Sequence, residues 1–167
     1  ELGVKISGMG VTAGAYANEL TKDSSDLVIE EDAMTATWHV SYAAGPVSIG
    51  YQTGGADMGV SAAASAATAA KTLAAAGGIF EFEKISIAAN VNDNFSVSWG
   101  QLKETYDAQD NESTAIADVE MKSTSIQFAY TMGSMKVAGY MTDTDNPGWD
   151  SDAASDEVTE LAVNFAF

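Results

Sequence analysis

Apolar and polar side chains alternate with period two along most of the chain. From Ala33 to Ala44, Met34, Ala36, Trp38, Val40 and Tyr42 take one phase, and Thr35, Thr37, His39, Ser41 and Ala43 take the other. Alternation of that length predicts a half-buried β-strand, because successive strand side chains point to opposite faces. The signature returns at Val47–Gln52, Ile85–Val91, Phe95–Gly100, Ser125–Met132, Met135–Thr142 and Glu160–Phe167. Two weaker copies open the chain, at Leu2, Val4 and Ile6 and at Val11, Ala13 and Ala15. The pattern therefore predicts nine strands.

Two kinds of connection take turns between these strands. Short ones near 8–10, 45–46, 92–94 and 133–134 contain Gly, Asn, Asp or Ser, the residues that accept tight hairpin dihedrals. Long ones near 21–32, 54–78, 107–119 and 143–156 are acidic or, in the second case, Ala-rich. The hairpins recur at Val11, Val47, Phe95 and Met135, with spacings of 36, 48 and 40 residues. Each unit holds two strands, which sets it apart from the four-stranded blade of a propeller.

Charge sharpens this picture. Asp and Glu number 24 against 7 Lys and no Arg, a formal charge of −17. Nucleic-acid affinity comes from neutralising phosphates with cationic side chains, so such a polyanion is not expected to bind nucleic acid. Cysteine is absent, which removes disulfides and thiolate metal sites. No apolar run is long enough for a transmembrane helix. No leader sequence is recognised, and Glu1 reads as the start of a processed or truncated chain. The acidic residues crowd the long loops: Asp23, Asp26, Glu30, Glu31 and Asp32; Asp107, Asp110, Glu112 and Asp118; Asp143, Asp145, Asp150, Asp152 and Asp156. Within the strands the polar phase is Ser, Thr, Gln, Asn, Ala and Gly, where a soluble sandwich would carry many Lys and Glu. Strands of about ten residues, with short turns at one end and long loops at the other, match an antiparallel transmembrane β-barrel. In lipid a closed barrel satisfies every backbone donor and acceptor. A secreted β-sandwich with one dry face is the soluble alternative.

On the barrel reading the polar phase lines a pore: Thr35, Thr37, His39, Ser41, Ser48, Gln52, Ser86, Asn90, Ser96, Ser98, Ser125, Gln127, Lys136, Glu160 and Asn164. His39 is the one histidine. The opposite phase supplies aromatic girdles from Trp38, Tyr42, Tyr51, Phe95, Trp99, Phe128, Tyr130, Phe165 and Phe167. Asp143, Asp145, Asp150 and Asp152 offer hard oxygen ligands for Ca²⁺ or Mg²⁺, with a solvated acidic loop as the alternative. Ser61–Gly78 is Ala-rich, and could form a helix narrowing the lumen or a flexible loop. No nucleophile–base pair is suggested, so no enzymatic activity and no organic cofactor are expected. The acidic loops should draw cations to the mouth of a pore.

The last third, Ser123–Phe167, resembles the C-terminal end of the general porins of alphaproteobacteria. An aromatic-rich strand leads into Met132-Gly133-Ser134, then Val137-Ala138-Gly139-Tyr140, an Asp/Asn-rich loop, and a final strand ending on Phe167. Leu161, Val163, Phe165 and Phe167 match the alternating terminal signal by which such barrels are recognised for assembly. The resemblance implies a 16-stranded, water-filled homotrimeric barrel in a bacterial outer membrane, passing small hydrophilic solutes. It further implies outer-membrane lipid and lipopolysaccharide as surroundings and the barrel-assembly machinery as a partner. Family members are about twice this length and line their constriction with Arg and Lys; this chain has no Arg.

Nine strands is an odd number, whereas single-chain bacterial barrels have even ones. Two resolutions are open. The chain supplies the C-terminal strands of a larger barrel, or Glu1–Gly10 is not a strand and eight strands from Val11 close a narrow barrel with a structural or adhesive role.

Overall fold

The protein is described by a computed structural model, over residues 1–20, 33–57, 78–107 and 118–166. It is all-β. Nine strands run in chain order: β1 (Leu2–Gly8), β2 (Val11–Leu20), β3 (Ala33–Ala44), β4 (Val47–Asp57), β5 (Ile79–Asn92), β6 (Phe95–Asp107), β7 (Val119–Met132), β8 (Met135–Asp145) and β9 (Asp156–Phe165). They form one antiparallel sheet in which each strand pairs with its sequence neighbours. The sheet is open, with β1 and β9 at its edges. β1 pairs with β2 from Leu2↔Ala17 to Gly8↔Val11. The premise of the eight-stranded alternative, that Glu1–Gly10 lies outside the sheet, does not hold.

The short turns fall where Gly, Asn and Ser predict them. Met9 and Gly10 both have positive φ, 49° and 81°, the signature of the hairpin turn whose twist matches its strands. At the third hairpin Val91 is bulged out of register between Asn90 and Asn92, and the Asn92 side chain accepts from the Asn94 amide at 2.9 Å. One bond repeats at this end of the sheet. Gly10, Pro46, Asn94 and Ser134 each offer a turn carbonyl to an amide across from the turn, at Ala43 on β3, Asn90 on β5, Thr131 on β7 and Ala166 just past β9, all at 2.8 Å. These four bonds are the structural form of the weak sequence repeat.

Most strands run further than the stretches of alternation, by the largest margin in β5, β6 and β7. β5 begins at Ile79, β6 continues to Asp107 and β7 begins at Val119, all beyond the expected Ile85, Gly100 and Ser125. The Ala-rich segment up to 77, the acidic residues of 21–32, Asp110, Glu112 and Phe167 lie outside the described residues.

A core is nearly absent. Among the described residues the buried hydrophobic side chains are Ala33 and Tyr106, and no polar side chain is buried. Large apolar side chains are exposed throughout, Leu2 at 76% and Leu161 at 65% among them.

Candidate functional site

Residues paired across an antiparallel ladder share a face, so the register assigns every strand residue to one of two surfaces. One surface collects Val4, Ile6, Trp38, Val40, Tyr42, Ile49, Tyr51, Ile85, Ile87, Trp99, Ile126, Phe128, Tyr130, Val137, Leu161, Val163 and Phe165. The exposed large hydrophobics all lie on it except Met9, Tyr16, Val91 and Val158. The opposite surface carries every residue that the sequence assigned to the polar phase, from Thr35, Thr37, His39 and Ser41 on β3 to Glu160 and Asn164 on β9. Ser48, Gln52, Ser86, Asn90, Ser96, Ser98, Ser125, Gln127 and Lys136 fall on it too.

The polarity inverts towards the long-loop end. On the apolar surface Tyr51 is followed by Thr53, Ile85 preceded by Glu83 and Glu81, and Trp99 followed by Gln101, Lys103 and Thr105. Ile126 is preceded by Thr124, Lys122 and Glu120, and Met141 followed by Asp143 and Asp145. This collar is internally paired: Lys103 to Glu120 at 3.4 Å, Lys122 to Asp145 at 4.0 Å, and the Tyr51 hydroxyl donating to Glu83 at 2.9 Å. The other surface changes in the opposite sense, to Phe80, Phe82, Leu102, Tyr106, Val119 and Met121.

The apolar band is oblique to the hydrogen-bond rows. Val11, Tyr42, Ile49, Ile87, Trp99, Ile126 and Met141 lie in one row. The first hairpin ends on that row at Val11. The others end at Val47, Phe95 and Met135, which are two, four and six residues further (Ile49 to Val47, Trp99 to Phe95, Met141 to Met135). The line of turns therefore steps one residue per strand. The upper limit of the band falls in the same sense, from Tyr51 on β4 to Leu161 on β9. With a rise of about 3.3 Å per residue and a strand spacing of about 4.8 Å, the strands tilt about 35° from the perpendicular to that line. The band is tallest on β3, from Met34 to Ala44, and only three apolar positions high on β4, from Val47 to Tyr51, and on β6, from Phe95 to Trp99.

The polar surface is laced by short-range bonds. Gln52 donates to Thr37 at 3.2 Å, and Thr37 to the Thr53 carbonyl at 3.0 Å. Between β7 and β8, Thr142 donates to Ser125 and Ser123 pairs with Thr144, both at 3.0 Å. Tyr140 donates to Glu160 at 3.0 Å. One cross-strand row holds Lys5, Gly14, His39, Gln52 and Lys84. His39, Gln52 and Lys84 line one shallow groove. The ring of His39 lies over Gly14, where an added Cβ would sit 2.5 Å from its Cε1. Lys5 and Lys84 thus join the polar surface. Sequence reading passed them over because Lys5 lies in the weakest strand and Lys84 precedes the first clear repeat of its own.

Asp143 and Asp145 stand on the collar, Asp145 facing Lys122. Asp150 and Asp152 lie beyond it in the β8–β9 connection, where the Asp152 amide donates to the Asp150 carboxylate at 3.2 Å. Among the described residues no group of three or more His, Asp or Glu side chains is placed to hold a metal ion. The four aspartates expected to do so are not brought together.

That connection, Asn146–Ser155, also carries a residue whose role the sequence did not reveal. Asn146-Pro147-Gly148-Trp149 is a tight turn, closed by the Trp149 amide donating to the Asn146 carbonyl at 3.0 Å. The Asn146 side chain donates to the Glu120 carbonyl on β7 at 2.8 Å. Trp149 then packs against Phe80 and Tyr106, with ring centroids 5.3 and 6.1 Å away, and those two rings are 5.0 Å from each other. Tyr106, 1% exposed, lies at the centre of this cluster.

Comparison of the chain with protein-family models, with curated proteins and with solved structures finds no match.

Proposed function

We propose that this sheet is part of the wall of a passive diffusion channel in a bacterial outer membrane, carrying small hydrophilic solutes through a hydrated lumen. One observation carries the reading. From β4 to β9 the exposed apolar band follows the line of hairpin turns, which crosses the hydrogen-bond rows at about 35°, within the range by which barrel strands tilt from their axis. A flat lipid interface cutting across tilted strands draws such a band. A second protein layer packed on a sheet has no reason to follow its turns. Lipid also accounts for the exposed Trp, Ile, Val and Phe side chains, which in water would each forgo about 1.5–3 kcal/mol of burial.

In this reading the polar face looks into the lumen and the charged collar stands in the headgroup layer above the hydrocarbon. The two free edges of the sheet require further strands, since unpaired backbone groups in hydrocarbon cost several kcal/mol each. The resemblance of Ser123–Phe167 to general porins supports a 16-stranded homotrimer. The acidic excess at the long-loop end supports a preference for cations. The protein reconstituted in a planar bilayer should give stepwise conductance with a reversal potential favouring K⁺ over Cl⁻. Silent membranes under conditions where the protein is folded and inserted would refute the channel. A reversal potential of the other sign would refute the cation preference alone.

The secreted-sandwich alternative requires a second layer over the apolar band. No second sheet is present among the described residues.

A further inference from the structure

Trp149 sits on the wrong side of the sheet for a residue of an outward loop. The strand that delivers it, β8, ends at Asp145, on the collar side. Trp149 instead touches Phe80 on β5 and Tyr106 on β6, both on the polar surface. Reaching β5 from β8 means crossing three strand spacings, about 14 Å. The backbone is bent to achieve this. Asn146, Gly148 and Trp149 have φ of 50°, 67° and 56°, and for a bulky side chain such as Trp the left-handed region is a strained conformation. Strain of that kind persists where surrounding contacts over-determine it. Here those contacts are the two rings and the Asn146 bond to β7.

We propose that Asn146–Ser155 is a strap laid across the polar face, with Trp149 as its positioning residue, and that Asp150 and Asp152 next to the anchor set the width and charge of the passage there. This rests on the channel reading of the preceding section. It adds which segment narrows the lumen and which side chains give that narrowing its sign. The indole Nε1 is buried without a hydrogen-bond partner among the described residues. The anchor is therefore ring packing rather than a polar latch, and a phenyl ring should serve in its place.

Two readouts separate the strap from the channel. The first needs no conduction. Trp149 emission, taken as wild type minus Trp149→Phe in the folded detergent-solubilised protein, should be shielded from acrylamide; quenching at the rate of an exposed indole would overturn the strap. The second is single-channel conductance. Trp149→Ala should raise it by about half or more, Trp149→Phe should leave it near wild type, and Asp150→Asn with Asp152→Asn should lower the K⁺/Cl⁻ permeability ratio at least twofold. A shielded Trp149 in a conducting protein whose Trp149→Ala variant passes the same current would overturn the strap's control of the passage and leave the channel standing. A shielded Trp149 in a folded, inserted but silent wild type would overturn the channel reading, and with it any role of the strap in conduction.

Discussion

Single side chains matter most where they are least exposed. Tyr106 is the largest fully buried residue among those described, and its ring meets both Phe80 and Trp149. Large-to-small substitution of a buried aromatic costs about 3–5 kcal/mol. Tyr106→Ala should lower the stability of the folded protein by about that much in a urea titration, whereas Tyr106→Phe, which keeps the ring, should cost less. Equal losses would mean that the hydroxyl, not the ring packing, holds this end of the sheet together. Tyr106 was not legible as a core residue. Its neighbours in the chain are Thr105 and Asp107, and what covers it comes from elsewhere: Phe80 beside it on β5, Trp149 from the β8–β9 connection, and Gly78, whose added Cβ would lie 2.8 Å from the Tyr106 ring.

Elements register the same physics as pattern. Where one face stays apolar from end to end, as on β3, alternation reads the strand at nearly its full length. β5, β6 and β7 defeat the method because the apolar phase changes face partway. Phe80 and Phe82 lie on one side and Ile85 and Ile87 on the other; Trp99 lies opposite Leu102 and Tyr106; Met121 lies opposite Ile126. A change of phase resembles the end of a strand in sequence, yet the backbone ladder continues through it. The hairpin ends are more legible, since their residues answer to local dihedrals. Gly45 has φ 58° with open space around its missing Cβ, whereas a Cβ on Gly10, φ 81°, would run into the Ala43 carbonyl oxygen. Gly45→Ala should therefore cost about 1 kcal/mol from backbone conformation alone. Gly10→Ala should cost distinctly more and raise amide exchange at the β1–β2 end. Similar unfolding midpoints for the two variants would contradict the close approach at Gly10.

At the scale of the whole molecule the question is what bathes each face. Phe128 and Gln127 are consecutive on β7 and point to opposite surfaces. In a bilayer Phe128→Lys places a cation against hydrocarbon and should reduce folding into liposomes by about 2–4 kcal/mol, with Gln127→Lys nearly neutral. Equal effects would place water, or a protein layer tolerant of charge, on both sides. The register supplies a second measurable quantity. Polarised infrared spectra of oriented membranes should give a mean strand tilt of about 35–45°; strands lying flat on the membrane would be incompatible with a wall.

The sequence by itself determined the strand class, the residues of the short turns and, within each clearly alternating stretch, which side chains share a face; whether Glu1–Gly10 adds a strand was decided by its pairing with β2. The first three follow from period two and from turn dihedrals, which are local properties of the chain. Tertiary structure alone decided how the faces invert towards the loop end, that Lys5, His39 and Lys84 share one row, and that Trp149 crosses to the polar surface. These depend on which strand lies beside which and in what register. Pairing brings together residues tens of positions apart, and no local period records that proximity.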